Sequence, residues 1–339
     1  MDEIAARRKA LFSGAAFSSL LLYNGDVANG TSANFSYFSG CSVDGSYLVL
    51  KKNKGVLFTH EMNIKAARKT SYYPVKLFGK KPAAEMRKAA GSGKVGFAAS
   101  EMPAARYLAL RRKTHLKLVD ASGKMFEVRG RKSKSELKLL SKAAGIARGI
   151  LHSLEPWKCK TEKELAAKLR VMALEEGAEI SFEPIVATGA NSAMPHHIAT
   201  EKKLQDFVLV DFGVKYKGYC SDLTRCYFRK GAKKEKESYD KCKAVFEELL
   251  EALPSCKKGK DVAALSASLL KKYGLPVLPH AIGHGIGLEV HEYPHLGKKS
   301  VDNLEEGTVL AIEPAAYFSR YGVRYEKMVV WKKGNWRLA

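Results

Sequence analysis

Long apolar runs are missing from this 339-residue chain. None approaches the ~18 residues that cross a bilayer, so no spanning helix is expected. Cysteine is sparse and scattered: Cys41, Cys159, Cys220, Cys226, Cys242 and Cys256 form no Cys-x-x-Cys pair. That spacing spells neither a disulfide framework nor a zinc ribbon, and a reducing cytoplasm is the expected setting. Acidic residues are outnumbered, 35 against 58 basic ones, for a net charge of +23. The basic residues fall in short clusters dispersed along the chain, at 51–52, 111–113, 129–134 and 229–236. No aromatic-rich nucleic-acid motif accompanies them, so they read as a solvated cationic surface and nucleic acid is not an expected partner. A secretory leader is not expected either. Basic residues 7–9 precede the apolar stretch 11–23, but Asp2 and Glu3 open the chain and Ser and Gly interrupt the stretch.

What is present is enough for two globular domains: 46% of residues are hydrophobic and 27% charged. The N-terminus reads as a helix running into a strand at 20–23. Residues 47–50 and 55–59 flank a polar turn and predict a hairpin. Residues 94–97 predict a strand leading into a helix over 103–112. Residues 116–119 and 126–128, separated by Ser122 and Gly123, predict a second hairpin. The basic stretch 129–134 reads as a linker. Beyond it, Leu137, Leu140, Ala143, Ile146 and Ile150 keep helical spacing. Thr161 and Glu164 form a capping box for a helix over 162–176, which Gly177 ends. From Phe182 onward the pattern turns to strands and Gly-rich turns.

Three features there carry chemistry. Residues 207–228 hold two β-rich runs around a Tyr-Lys-Gly-Tyr turn, with Asp211 in the first run and Asp222 in the second. A two-residue loop at 216–217 sets the two aspartates opposite each other. A loop at 217–218 makes them diagonal neighbours on one face, and a three-residue loop separates them. Paired carboxylates on a half-buried sheet repel, so a cation belongs between them: either Arg225 or a metal ion. Second, residues 283–292 place His284 among glycines and His291 seven residues on. Third, Glu313 and Glu326 interrupt otherwise apolar strands. Four carboxylates and one imidazole suit a pair of divalent ions such as Mn²⁺ or Co²⁺ better than a thiolate-bound zinc. The string His291-Glu292-Tyr293-Pro294-His295 matches the H-E-x-x-H of single-zinc proteases. That motif needs a helix, and Pro294 with strand-like surroundings argues against one.

Residues 182–228, 283–292, 312–314 and 322–330 resemble the metallopeptidases of the "pita-bread" fold, which include Xaa-Pro dipeptidases, Xaa-Pro aminopeptidases and methionine aminopeptidases. Within them, Ile-Val-Ala-Thr-Gly-Ala-Asn-Ser-Ala-Met-Pro-His at 185–196 and Gly-Val-Arg at 322–324 most resemble the proline-specific branch. The resemblance implies an α+β chain: a smaller α/β creatinase-like domain over 1–130, then a pita-bread catalytic domain over 131–339. It implies two divalent ions, Mn²⁺ or Co²⁺ with Zn²⁺ as an option, held by Asp211, Asp222, His284, Glu313 and Glu326. Asp222 and Glu326 would bridge them. A bridging water would attack the scissile carbonyl, with Glu313 passing its proton to the leaving nitrogen. His196 and His291 would position substrate and stabilise the oxyanion. Arg324 would hold Glu326 or a substrate carboxylate, and His197 would be structural. The expected substrates are small proline-containing peptides, the expected assembly a homodimer, and the favoured activity that of an Xaa-Pro dipeptidase. The alternatives are an Xaa-Pro aminopeptidase, then a methionine aminopeptidase or a non-catalytic nucleic-acid-binding module. Two positions depart from the pattern. Lys327 follows Glu326 where an acidic residue is usual, and His295 occupies a substrate-binding position where dipeptidases often carry Arg.

Overall fold

The computed structural model describes residues 2–25 and 32–339. The chain forms two compact units that meet in sequence at Val128 and Arg129.

The first unit is built on a six-stranded sheet of β1 (Ser19–Asn24), β2 (Ser46–Lys51), β3 (Lys54–Thr59), β4 (Val75–Leu77), β5 (Lys94–Phe97) and β6 (Lys117–Asp120). Its order is β4-β3-β2-β1-β5-β6. The hairpin expected around residues 51–54 is β2 and β3, closed by Lys51 facing Lys54. Strands β1 and β2 are buried on both faces, which explains their continuous rather than alternating apolar runs. Leu21, Tyr47, Val49, Phe58, Met86, Val95 and Leu110 fill one core.

One expected hairpin is absent. Residues 126–128 lie in the helix Ser122–Gly130, not in a strand. Asp120 Oδ1 accepts from the Ser122 N–H at 2.9 Å and from its hydroxyl at 2.6 Å, which turns the chain into a helical start. Ala121, Met125 and Arg129 are then buried at a spacing of four, the helical period.

The second unit begins without the exposed linker expected at 129–134. Arg129 and Lys132 are buried, and Ser133 caps the helix Lys134–Ser153 through a full capping box with Glu136. This helix and Glu162–Glu175 cover one core; Lys233–Ala252 and Gly259–Lys272 cover another. Between the two cores run β7 (Glu179–Ile180), β8 (Ile185–Thr188), β9 (Phe207–Phe212), β10 (Val214–Tyr216), β11 (Tyr219–Cys220) and β12 (Leu223–Phe228). With them run β13 (Gly283–Gly285), β14 (Glu292–His295), β15 (Val309–Ile312), β16 (Ala315–Tyr317), β17 (Gly322–Arg324), β18 (Lys327–Lys332) and β19 (Asn335–Leu338).

The alternation of β9 places the site. Val208, Val210 and Phe212 point into the first core, whereas Phe207 and Leu209 point into the second. Asp211 shares the face of Phe207 and Leu209, so a carboxylate sits where that core would continue.

Candidate metal centre

Tyr216 faces Tyr219 across the turn, so the loop has two residues, Lys217 and Gly218, both with positive φ. Beyond the turn Gly213 allows the strands to cross closely: a Cβ there would stand 1.8 Å from the Ser221 carbonyl oxygen. Farther on, Asp211 faces Thr224, which makes Asp222 its diagonal neighbour on the same face.

Glu326 lies between β17 and β18, and Glu313 directly follows β15, with its N–H donated to the Ile282 carbonyl at 2.9 Å. Ligand-capable atoms of Asp211, Asp222 and Glu326 lie within 4.8 Å of one another; so do those of His284, Glu313 and Glu326, and those of Asp222, His284 and His291. Asp211, Asp222, His284 and Glu326 are all buried. The five residues singled out in the sequence therefore come from five different segments to one place.

Burial of so many carboxylates shifts their protonation. Asp222 is raised well above the usual range by burial and then by the charges of Asp211 and Glu313. Glu326 is raised by burial and by Asp222, Asp211 and Glu313, and Glu313 is raised by burial, with Asp211 adding to it. The Oδ1 atoms of Asp211 and Asp222 are buried with no hydrogen-bond partner among the described residues. Divalent cations supply both missing elements, a counter-charge and a partner for those orphaned oxygens, so the donor set fits them. His284 Nδ1 lies 3.0 Å from the Gly285 carbonyl, which fixes the proton on Nδ1 and leaves Nε2, 3.5 Å from Asp222, as the free lone pair.

This arrangement predicts coupling between metal and protons. In the metal-free chain the raised carboxylates favour folding below their unfolded values near 3.8 and 4.5. That contribution is lost as pH climbs through their higher folded values. Metal binding requires the ionised forms, so it is expected to release protons and to tighten as pH rises over the same window. Calorimetry of Mn²⁺ binding in buffers of different ionisation enthalpy measures both effects.

The organic cation beside the aspartates is Arg324, not Arg225. Arg225 stands opposite Val210, on the other face of the strand pair, and Nη1 donates to the Leu151 carbonyl at 3.3 Å. Arg324 is buried and does not hold Glu326 as expected. Nη2 donates to Asp211 Oδ2 at 2.5 Å, Nε to Thr224 Oγ1 at 3.0 Å, and Nη1 to the Tyr317 hydroxyl at 2.9 Å and the Pro195 carbonyl at 3.4 Å. Its donors are thus engaged with Asp211, Thr224, Tyr317 and Pro195. Glu326 is held instead by Thr224, whose hydroxyl donates to Oε2 at 2.7 Å.

Residues 292–295 form a strand, which removes the helical zinc motif from consideration. The His291 ring packs edge-on against His284 with centroids 4.1 Å apart. Burial, then the charges of His284, His196 and His295, push its pKa down to about 4, so it is neutral at pH 7. His295 faces His284 across the β13–β14 pair and is exposed. His197 is buried, 2.8 Å from Glu162, which also accepts from Thr188, Asn191 and Thr200. Lys327 lies over the Tyr325 ring, and its pKa is lowered by burial and then by Arg225 and Arg148.

Two neighbours escaped the sequence reading. His280 Nδ1 approaches Glu313 at 3.8 Å, and its Nε2 is 3.0 Å from the Tyr317 hydroxyl. Only the spacing of four between His280 and His284 hinted at the first; nothing marked Tyr317.

A buried carboxylate cluster with one imidazole at the heart of a sheet, beside further histidines, belongs to the class of metal-dependent hydrolases. Comparison with known proteins specifies it further. Residues 138–333 match the model of metallopeptidase family M24, and residues 7–130 match the creatinase/prolidase N-terminal domain. An Xaa-Pro dipeptidase of Pyrococcus horikoshii is 32% identical over 319 residues, 90% of each chain. One of Pyrococcus furiosus is 31% identical over 310 residues, 88% of each chain. The solved Xaa-Pro dipeptidase of Bacillus anthracis superimposes with a TM-score of 0.86 at 29% identity, covering 99% of this chain and 96% of that one. The chain belongs to metallopeptidase family M24, and it has the pita-bread fold preceded by a creatinase-type N-terminal domain.

Proposed function

We propose that the protein hydrolyses the Xaa-Pro bond of dipeptides with two divalent ions, Mn²⁺ or Co²⁺, held by Asp211, Asp222, His284, Glu313 and Glu326. The observation that carries this reading is the convergence of those five side chains in overlapping groups within 4.8 Å. The Xaa-Pro dipeptidase relatives that match 90% and 88% of the chain support the substrate class.

When bound, the ions supply a water acidic enough to act as nucleophile near neutral pH and polarise the scissile carbonyl. The protein's own groups do the rest. Glu313, held in place by its N–H to Ile282, takes up a proton and delivers it to the leaving nitrogen. Neutral His291, against His284, donates to the developing oxyanion, with His196 beside it; loss of such a donor costs ~10²-fold in rate. His295, across from His284, contacts the substrate. Arg324 keeps Asp211 oriented. The six free, buried cysteines suit the reducing cytoplasm, and the homodimer rests on the family resemblance alone. No helix among the described residues is long and apolar enough to cross a membrane.

One observation favours a second reading. His295 stands where dipeptidases often carry Arg, and a weaker grip on a dipeptide carboxylate would favour longer substrates. A panel of Ala-Pro, Leu-Pro, Ala-Pro-Ala and Met-Ala-Ser, offered to the protein reconstituted with Mn²⁺, Co²⁺ or Zn²⁺, decides between them. Cleavage confined to the dipeptides supports the dipeptidase. Preference for Ala-Pro-Ala supports an Xaa-Pro aminopeptidase, and cleavage of Met-Ala-Ser alone a methionine aminopeptidase.

A further inference from the structure

We infer that Arg129 and Lys132 are positioning residues for His291, acting through the carboxylate of Glu292. The inference rests on the role given to His291 above.

Residues 286–291 form an excursion between β13 and β14, and His291 is its last residue. Gly287 gives the start of this segment little rigidity of its own. Its shape is set from beneath by Glu292, which is only 5% exposed. A Cβ on Gly287 would lie 2.1 Å from Glu292 Oε1, so the excursion folds directly over that carboxylate. Two cations grip it from opposite sides. Arg129 Nη2 bridges Glu292 Oε2 at 2.5 Å and Glu289 Oε2 at 2.7 Å, tying the middle of the excursion to its end. Lys132 Nζ stands 2.8 Å from Glu292 Oε1.

Both cations are themselves anchored. The Lys132 N–H donates to the Gly307 carbonyl at 3.1 Å, and a Cβ on Gly307 would stand 2.7 Å from the Lys132 carbonyl oxygen. At Gly130 a Cβ would meet the Tyr293 ring at 2.5 Å, so the backbone between the two cations lies flat on β14. Arg129 and Lys132 are 2% and 6% exposed. Taking two cations out of water is costly unless the partner is fixed, and a fixed partner here means a fixed excursion. A misplacement of an oxyanion donor by ~1 Å can cost as much as ~10²-fold in rate. The segment expected from sequence to be a solvated linker thus sets the placement of a substrate-contacting histidine.

The test is a double-mutant cycle on the Mn²⁺-reconstituted protein with Ala-Pro as substrate. It uses Lys132→Met, Glu289→Ala, His291→Ala and the corresponding pairs, with thermal unfolding of each. Glu289→Ala removes only the more exposed arm, so it yields a folded protein even where Lys132→Met does not. Lys132→Met is expected to lower kcat about tenfold with little change in KM, Glu289→Ala about threefold, and neither to lower it further in the His291→Ala background. Lys132→Arg is expected to recover most of the activity. Equal losses in both backgrounds would show a general structural role and overturn the inference, as would unchanged kcat in Lys132→Met and Glu289→Ala. If His291→Ala alone leaves kcat intact, the role of His291 falls and the inference falls with it, a result distinct from the other two.

Discussion

Glu313→Gln is expected to lower kcat about 10³-fold while leaving the fold and the thermal midpoint of the metal-loaded protein nearly unchanged. The residue is anchored by its backbone, whose N–H reaches Ile282, so the exchange of one side-chain oxygen for nitrogen disturbs no strand. Glutamine keeps one oxygen as a ligand. What it cannot do is accept and return a proton. Steady-state kinetics on Ala-Pro with metal content measured in parallel separates the two roles. Normal metal content with lost turnover supports the proton shuttle, whereas residual activity above about a tenth would remove it.

Arg324→Met is expected to destabilise the metal-free protein by about 3–5 kcal/mol and the metal-loaded protein by clearly less. The guanidinium is buried, and its loss leaves Asp211 among Asp222, Glu313 and Glu326 without an organic counter-charge. Bound metal replaces that counter-charge, so the two forms respond unequally. Thermal unfolding of both forms, with and without excess Mn²⁺, measures the difference. An equal loss in both would mean that Arg324 acts by packing between Thr224 and Tyr317 rather than by compensating Asp211.

Much of the site was legible because its residues break local rules. Asp211, Glu313 and Glu326 each put a carboxylate where a strand favours an apolar side chain, and such violations concentrate at functional positions. The two-residue turn at 217–218, one of the registers admitted by Tyr-Lys-Gly-Tyr, sets Asp222 diagonal to Asp211. What sequence did not reveal depends on long-range partners. Arg225 is nearer to Asp222 along the chain than Arg324 is, but strand alternation turns it to the opposite core. The helix at 122–130 follows from a side-chain cap by Asp120, where the Ser-Gly pair reads equally well as a hairpin turn. Arg129 and Lys132 sit in a basic cluster that looks solvated until Glu289 and Glu292, some 160 residues later, are folded beside it. Net charge had no bearing on any of these; pairing did.

Metal titration tests whether these five side chains hold two divalent ions and whether catalysis depends on both. The apo protein would be titrated with Mn²⁺ while bound metal, by elemental analysis, and Ala-Pro hydrolysis are followed together. Activity is expected to saturate as the second equivalent binds, to be abolished by chelation, and to be lost with at least one equivalent of metal in Asp222→Asn. Full turnover with a single ion, or in the chelated protein, would contradict the two-ion reading.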